Sequence, residues 1–465
     1  MIISMKNKAN LVILFIWFLV VFVTAFNHEI WRDEAQVWCI VRDLNFVDAF
    51  NTARIEGHPF LWYLLIMPFA KMGLSVEIMQ IIGGLLVFAA VALVVCKAPF
   101  NYFENVIIVF SAGMTYYLPV IVRNYALIPL LVFLLAYLYN KKTEKPLFYS
   151  FLIILLSHTH LYMLGFCGAL FLVFIYDLFK ENKKTALLPF IFCSLNFLII
   201  LLLFNNTQNG NYALEAGVRE VLPVGTVLSL ISKILFYNLA KFSDFTIKYF
   251  DSLSLLLFYP ALLCFGVGLF KNNKKALFIF SFSAGFILFV FTQVYFNGIL
   301  YQKIFLIFVI MIFCFWICEN KSNVTKYSFY SLFALSMLVS PFVVLDDIKH
   351  NFSGSKQIAK YVKENLKEEK ILKAFGNSYL YSAISAYLPD KKLYCVVSNS
   401  YVSYFDFKTR SQELLDDEPM GYNYFIIHET VKNPEEIGFE ILFKSSDINL
   451  STKTQREVFS VGVLK

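Results

Sequence analysis

The sequence predicts an α-helical polytopic membrane protein with a small α/β domain at its C-terminal end. Of its 465 residues, 58% are hydrophobic and only 16% are charged, whereas a soluble domain is usually about 45–50% apolar and roughly 25% charged. Long apolar runs alternate with short lysine clusters, as in proteins that cross a membrane several times. After Leu345 these runs cease, and charged segments with helical and strand-like periodicity follow.

The first apolar run extends from Leu11 to Phe26 and follows Lys6 and Lys8. We interpret it as an uncleaved anchor with a cytoplasmic N-terminus, because no small-residue cleavage site follows and more spans come later. Further apolar runs bring the expected total to about eleven transmembrane helices. They lie at roughly 76–96, 104–121, 123–139, 146–160, 161–179, 186–204, 253–270, 276–296, 300–318 and 326–345.

Lysine clusters test this count, because cytoplasmic loops carry an excess of basic residues. Each cluster is separated from the next by an even number of expected spans. The clusters are Lys141, Lys142 and Lys145; Lys180, Lys183 and Lys184; Lys271, Lys274 and Lys275; and Lys321 with Lys326. The tips between them, near Arg123, His158 and Asn297, carry almost no Lys or Arg, so we expect these tips outside. The net charge of +7 then reflects topology, and no nucleic-acid partner is expected.

The expected domains are a transmembrane region over 1–345 and a soluble extracytoplasmic α/β domain over 346–465. The first contains two long outer loops, at 27–75 and 205–252. Within the first loop, Pro59 to Ala70 is too short to span, so we expect a helix at the outer interface before the true crossing at 76–96. The second loop contains an amphipathic stretch, Val227 to Phe242.

The C-terminal segment alternates between polar-faced helix and short apolar strand patterns. A helix is expected near 354–369 and a second one near Ser378–Tyr387. Strands are expected at Ile371–Phe375, Leu393–Val397, Tyr424–Ile427, Glu440–Phe443 and Glu457–Leu464.

An acidic pair, Asp33-Glu34, lies just beyond the first span, and His58-Pro59 closes the same loop before an aromatic apolar run. A carboxylate in such a place can accept a proton from an attacking hydroxyl and act as general base. Its neighbour can tune that pKa or bind a cation. The alternative for an isolated Asp-Glu pair is an ordinary solvated loop.

The segment Asn27 to Gln36, followed by His58-Pro59-Phe60-Leu61-Trp62-Tyr63, resembles the lipid-dependent membrane glycosyltransferases of the GT-C fold. This superfamily includes the protein O-mannosyltransferases and the aminoarabinose transferases. Its members often carry Asp-Glu in the first outer loop and a segment similar to His-Pro-Pro-Leu-Tyr-Tyr, in which Phe60 here replaces the second proline. The resemblance implies short helices along the membrane in that loop and a soluble outer domain.

The resemblance also implies site residues in the first outer loop. Asp33 matches the residue that the family uses as catalytic base on the acceptor, and Glu34 matches its partner. Arg32, Glu56 and His58 accompany them as candidate substrate-binding residues.

Polar residues elsewhere are further candidates for binding the donor. His158 and His160 could bind a metal or the donor phosphate, or only cap a turn between helices. Arg123 could pair with a phosphate or a carboxylate, or anchor the interface by snorkelling. Family members often hold the lipid phosphate with an Arg-Tyr motif where this chain has Tyr-Gln-Lys, so Lys303 is a substitute and Arg219 a competitor.

We therefore expect a glycosyltransferase of the cytoplasmic membrane that acts at its outer face. The donor would be a sugar on a polyprenyl phosphate, and the acceptor would be a glycan, a lipid or a protein; membrane lipids are the other expected partners. No cofactor is required by the sequence, although a divalent metal stays open. The alternatives are a lipid-linked oligosaccharide polymerase or ligase, which would share the large outer loop, and a transporter, which would place polar groups near the bilayer midplane.

Overall fold

The structure is a computed structural model that describes residues 5–181, 183–205, 244–290, 301–376, 378–406, 413–414, 423–446 and 457–464. Arg219, Asn297 and the amphipathic stretch expected at 227–242 lie outside these residues. The described residues form two compact units. One is helical and comprises the described residues up to Ala25 and those between Ile82 and Leu345. The other comprises Phe26–Ile81 and the described residues from Asp346 onward.

Long apolar sequences account for the helices that form the first unit. They are α1 Met5–Asn27, α5 Ile78–Lys97, α6 Tyr102–Val109, α7 Leu127–Tyr137, α8 Pro146–Ser157, α9 Leu164–Glu181, α10 Lys183–Asn205, α11 Asp244–Asn272, α12 Lys274–Phe289, α13 Tyr301–Ile317 and α14 Asn323–Lys349. The ends of α1, α5 and α14 extend into the second unit.

Five of the described helical segments are long and apolar enough to cross a membrane. They are Lys8–Asn27, Ile78–Lys97, Leu161–Glu181, Lys183–Phe204 and Asn323–Lys349. Several shorter apolar helices accompany them, among them Asn124–Tyr137 and Pro146–Ser157. The chain thus has the helices of a multi-pass membrane protein, while the expected total of eleven spans stays a prediction.

The span expected at 104–121 is not one continuous helix. It consists of α6, a π-helical turn at Gly113–Tyr117 and an irregular segment before Asn124. Ser111 donates its hydroxyl to the carbonyl of Ile108 at 2.7 Å, and such side-chain bonds compete with the helical ladder. Insertions of this π type are frequent at functional sites.

The loops expected in the cytoplasm meet at one end of the helical unit. Asp177 in α9 forms ion pairs with Lys142, at 3.1 Å, and with Lys275. Asn140 donates to Glu319 at 3.3 Å, so the loop after α13 joins the same group. Four loops that sequence alone placed on one side of the membrane therefore share one end of this unit.

Two tips expected outside the membrane likewise meet each other. Asn124 donates to the carbonyl of Thr159 at 2.8 Å. The hydroxyl of Tyr125 lies 2.9 Å from the imidazole of His160. The even spacing of the lysine clusters is thus consistent with the packing of the helical unit, and the identity of each side stays a prediction.

The second unit combines the first outer loop with the C-terminal domain. The loop folds into α2 Arg32–Asp43, α3 Phe46–Ile55 and α4 Leu61–Lys71. The expectation of a short helix within Pro59–Ala70, followed by a longer one, is confirmed by α4 and α5. The loop that sequence grouped with the transmembrane region therefore packs with the C-terminal residues.

The C-terminal domain is a mixed sheet with two helices, α15 Ser355–Asn365 and α16 Ser382–Tyr387. Its strands are β1 Ile371–Phe375, β2 Lys392–Cys395, β3 Ser400–Tyr401, β4 Glu413–Leu414, β5 Tyr424–His428, β6 Phe439–Lys444 and β7 Phe459–Leu464. The order in the sheet is β4-β3-β2-β1-β5-β7-β6, with β1 parallel to both β2 and β5. The small α/β domain is therefore confirmed, and the sequence missed only the two-residue strands β3 and β4 among the described strands.

Helix α2 lies against α16, and hydrogen bonds fix the contact. Ile30 donates its backbone N–H to the hydroxyl of Tyr387 at 2.8 Å. Arg42 donates to the carbonyl of Ser385 at 2.9 Å. The C-terminal domain thereby holds the helix that begins with the acidic motif.

Candidate active site

Asp33 lies in the first turn of α2, where the helix dipole stabilises a negative charge. The Nε atom of Arg32 donates to its Oδ1 at 3.2 Å. The Asp33 side chain keeps 28% of its surface exposed. Asp33 is therefore a carboxylate that is stabilised in its charged form and still accessible to a substrate.

Arg32 is held so that its guanidinium remains beside Asp33. It lies over the ring of Tyr379, with 4.8 Å between guanidinium carbon and ring centre. Burial would lower the pKa of Arg32, but the charges of Asp33 and Glu457 raise it above its ordinary value. Arg32 thus remains a permanent cation that orients the Asp33 carboxylate.

Glu34 differs from Asp33 in being completely buried. Its Oε2 accepts the backbone N–H of Trp31 at 3.1 Å, as in a helix capping box. The same oxygen lies 3.3 Å from Nε2 of His28. The acidic pair is therefore divided into one accessible and one buried carboxylate.

His28 is buried between two carboxylates, a feature that the sequence analysis missed. Its Nδ1 donates to Asp347 at 3.0 Å and its Nε2 to Glu34 at 3.3 Å. Burial would lower the pKa of His28, but the charges of Asp347 and Glu34 raise it to about 10. The imidazole is therefore doubly protonated at neutral pH and can donate to both carboxylates. The available signal was a His directly after one apolar run and an Asp directly after another.

Two more carboxylates of this unit, those of Glu29 and Glu457, are buried and accept hydrogen bonds. Glu29 accepts the backbone N–H of Phe352 at 2.6 Å, and burial raises the pKa of its carboxyl. Glu457 accepts the backbone N–H of Arg32 at 3.3 Å and the hydroxyl of Ser353 at 2.6 Å. These bonds tie the beginning of α2 to the C-terminal domain.

Glu56 and His58 lie where the loop turns from α3 into α4. Glu56 accepts from Gln36 of α2 at 2.7 Å and from the Tyr63 hydroxyl at 2.8 Å. Gly57 between them has a φ of +78°, a left-handed conformation that favours glycine. The structure thus links Glu56 directly to α2 and places half-buried His58 in the adjoining turn.

In the helical unit, the two histidines of the His-Thr-His segment have different partners. The Nε2 atom of His158 lies 2.8 Å from the amide oxygen of Asn196 in α10. His160 instead stacks between the rings of Tyr125 and Tyr162, each with its centre 4.8 Å away. The pair therefore does not form one ligand set through these contacts.

His160 belongs to an aromatic cluster that also contains two cations. Its Nδ1 accepts the backbone N–H of Tyr162 at 3.1 Å, so a neutral ring carries its proton on Nε2 and donates it to the oxygen of Tyr125. Lys303 lies 5.1 Å from the ring centre of Tyr162, and Arg123 lies 6.0 Å from that of Tyr125. Both cations are buried, at 5% and 9% exposure, so a desolvated anion at this cluster would be strongly attracted.

The described residues contain no group of three or more His, Cys, Asp or Glu side chains that could hold a metal ion.

No protein-family model matches the chain, and no curated protein matches it. The likeness of the first outer loop to membrane glycosyltransferases therefore rests on the loop's own residues and on the chemistry of the groups described above.

Proposed function

We propose that the protein is a glycosyltransferase that moves a sugar from a polyprenyl-phosphate donor to an acceptor hydroxyl. The observation that carries the proposal is the division of the acidic pair. Asp33 is accessible and oriented by Arg32, whereas Glu34 is buried and caps the helix. An accessible carboxylate can act as a catalytic base, and its buried neighbour can fix the helix that carries it.

Asp33 would act on the acceptor. As the acceptor oxygen attacks the anomeric carbon, its proton passes to the Asp33 carboxylate. The new glycosidic bond forms while the bond between sugar and phosphate breaks, and the electron pair leaves on polyprenyl phosphate. Attack from the face opposite the leaving group inverts the anomeric centre.

The aromatic cluster of the helical unit supplies groups suited to the donor phosphate. Lys303 and Arg123 are cations, and the Tyr125 hydroxyl can donate its hydrogen once its oxygen accepts from His160. Within that unit, such donors can bind the phosphate of a polyprenyl lipid. His158 would then act only through the helix contact that it makes with Asn196.

The expected topology completes the proposal. The protein would cross the cytoplasmic membrane about eleven times, with the loop over 27–75 and the C-terminal domain outside. The separate convergence of the lysine-bearing loops and of the Arg123 and His158 tips supports the assignment of these two groups to opposite sides of the membrane. A polyprenyl donor, which is amphiphilic, suits an enzyme whose polar groups lie at helix ends.

The proposal is tested by comparing Asp33→Asn with Glu34→Gln in transfer assays that use a panel of synthetic polyprenyl-phosphate sugars. Asp33→Asn keeps the shape but removes the basic oxygen, so transfer should fall roughly 100-fold or more while donor affinity changes little. Glu34→Gln should be milder, with any loss accompanied by lower stability. Near-normal transfer by a correctly inserted Asp33→Asn protein would exclude Asp33 as the base, whereas no transfer by the wild type with any donor of the panel would favour a transporter.

A further inference from the structure

A polar cavity of about 410 Å³ lies where the lysine-bearing loops of the helical unit meet. Several connections contribute to its lining. Lys142 comes from the loop after α7, Lys275 from the beginning of α12, and Glu319 from the turn after α13. None of these lining residues belongs to the acidic motif or to the aromatic cluster. The proposed glycosyl transfer does not use the cavity.

Two lysines of this cavity share one carboxylate. Asp177 receives Lys142 on one oxygen and Lys275 on the other. Lys142 is only 8% exposed, and burial lowers its pKa in spite of Asp177. Two ammonium groups on one carboxylate leave positive charge that a second anion in the cavity would stabilise.

Glu319 gives the cavity a negative group as well. Its carboxylate accepts from Asn140 at 3.3 Å, a neutral donor that does not cancel its charge. Lysines together with a carboxylate match a ligand that carries one negative and one positive charge. Among phosphate compounds, this describes a zwitterionic headgroup better than a simple phosphate.

Apolar surface beside the lysines indicates that the ligand is a lipid. The ammonium of Lys275 lies 5.8 Å from the ring centre of Tyr176, and that of Lys274 lies 6.0 Å from the ring centre of Phe270. Tyr176 and Phe270 are 62% and 59% exposed as residues. Exposed aromatic residues next to lysines are typical of a membrane interface, where acyl chains lie next to headgroups.

We propose that this cavity binds the headgroup of an aminophospholipid. Its phosphate contacts Lys142 and Lys275, and its primary ammonium group donates to Glu319. Basic pockets between membrane helices are known to accept lipid headgroups. The bound lipid would stabilise the packing of the loops that contribute Lys142, Lys275 and Glu319.

The test is lipid binding by the full-length protein, measured by native mass spectrometry with added phosphatidylethanolamine, phosphatidylglycerol or phosphatidylcholine. Lys275→Gln, whose parent side chain is 45% exposed and therefore tolerant of change, should weaken phosphatidylethanolamine binding about fivefold. Glu319→Gln should weaken phosphatidylethanolamine but not phosphatidylglycerol binding. Asp177→Asn should strengthen phosphatidylglycerol binding, because it removes the competing carboxylate. Lys180→Gln, a lysine near the same end that does not line the cavity, is the matched control.

Two outcomes would overturn the proposal. If Lys275→Gln and Lys180→Gln weakened binding equally, the attraction would be general surface charge. If inorganic phosphate displaced phosphatidylethanolamine at equal concentration, the cavity would be a site for soluble anions.

Discussion

Replacing His28 by Gln should destabilise the second unit severely. The variant leaves Glu34 and Asp347 buried, at 0% and 2% side-chain exposure, without the cation between them. Breaking a buried ion pair by removing one partner costs about 3–5 kcal/mol. The same unit contains a matched control, because His350 pairs with Asp346 at 3.2 Å but is 53% exposed. His350→Gln should cost less than about 1 kcal/mol.

Buried thiols provide the assay. Cys39 and Cys395 are both fully buried in this unit, and burial raises the pKa of Cys39 to about 12. With the other six cysteines replaced, thiol labelling at neutral pH reports opening of this unit alone. A loss of about 3 kcal/mol should speed labelling by roughly 100-fold or more when opening is fast relative to labelling.

A triple variant separates charge from packing. Adding Glu34→Gln and Asp347→Asn to His28→Gln replaces the ionic group by neutral hydrogen-bonding side chains. Much of the lost stability should return, because no uncompensated charge stays buried. If His28→Gln alone labelled as slowly as His350→Gln, or if the triple variant were the least stable of all, the ionic account of this cluster would be refuted.

The raised pKa of His28 also predicts how the stability of the second unit depends on pH. The pKa of folded His28, about 10, lies above its ordinary value of 6.5. The contribution of protonated His28 to the free energy of unfolding is therefore complete below pH 6.5 and is lost as the pH rises through 10. The stability difference between the wild type and His28→Gln should shrink over that interval.

Three further predictions concern other parts of the chain. A single cysteine at Lys183 should stay unlabelled by an impermeant reagent in intact cells, whereas one at Asp48, exposed on α3, should react; the reverse result would invert the topology. Lys303→Gln should raise the donor KM by roughly tenfold, the loss expected for a charge-assisted hydrogen bond, and Lys303→Arg should restore part of it; equal KM values would exclude a phosphate contact. Gly57→Ala should lower stability by about 1 kcal/mol because φ is +78° there, while Gly84→Ala, equally open but helical, should raise it by about the same amount; thermal unfolding of both variants is the measurement.

The C-terminal domain was predictable because its signals are local. Strands β1, β5 and β6 coincide with the expected runs to within one residue at each end. Burial alternates along β1 and β6, whereas β5 is a short, continuously apolar run, and polar residues or glycine bound each of them. The missed strands β3 and β4 have two residues each, too few to show alternation. A local sequence pattern therefore predicts a strand when the strand is several residues long, and fails when the strand has only two.

The expected spans were harder to predict because hydropathy averages over a window. Residues 104–121 are apolar enough for one crossing, yet the helix ends at Val109. The causes are single hydroxyls: Ser111 bonds back to its own turn, and Ser336 of α14 accepts the backbone N–H of Ala112 at 3.2 Å. A window that counts apolar residues cannot detect such bonds.

The acidic motif shows why the sequence could suggest candidate site residues but could not assign a different role to each. Successive residues of an α-helix point about 100° apart, so adjacent carboxylates at the beginning of α2 must face different surroundings. Which one turns inward is decided by His28 and Asp347, and the latter lies 319 residues further along the chain from His28. Because Glu34 is held by groups that support the unit, its substitution should reduce activity and stability together. The Asp33 side chain keeps 28% of its surface exposed, so its substitution should reduce activity while stability stays nearly unchanged. A Glu34→Gln protein of normal stability with Asp33-like loss of transfer would mean that the buried carboxylate takes part in the chemistry itself.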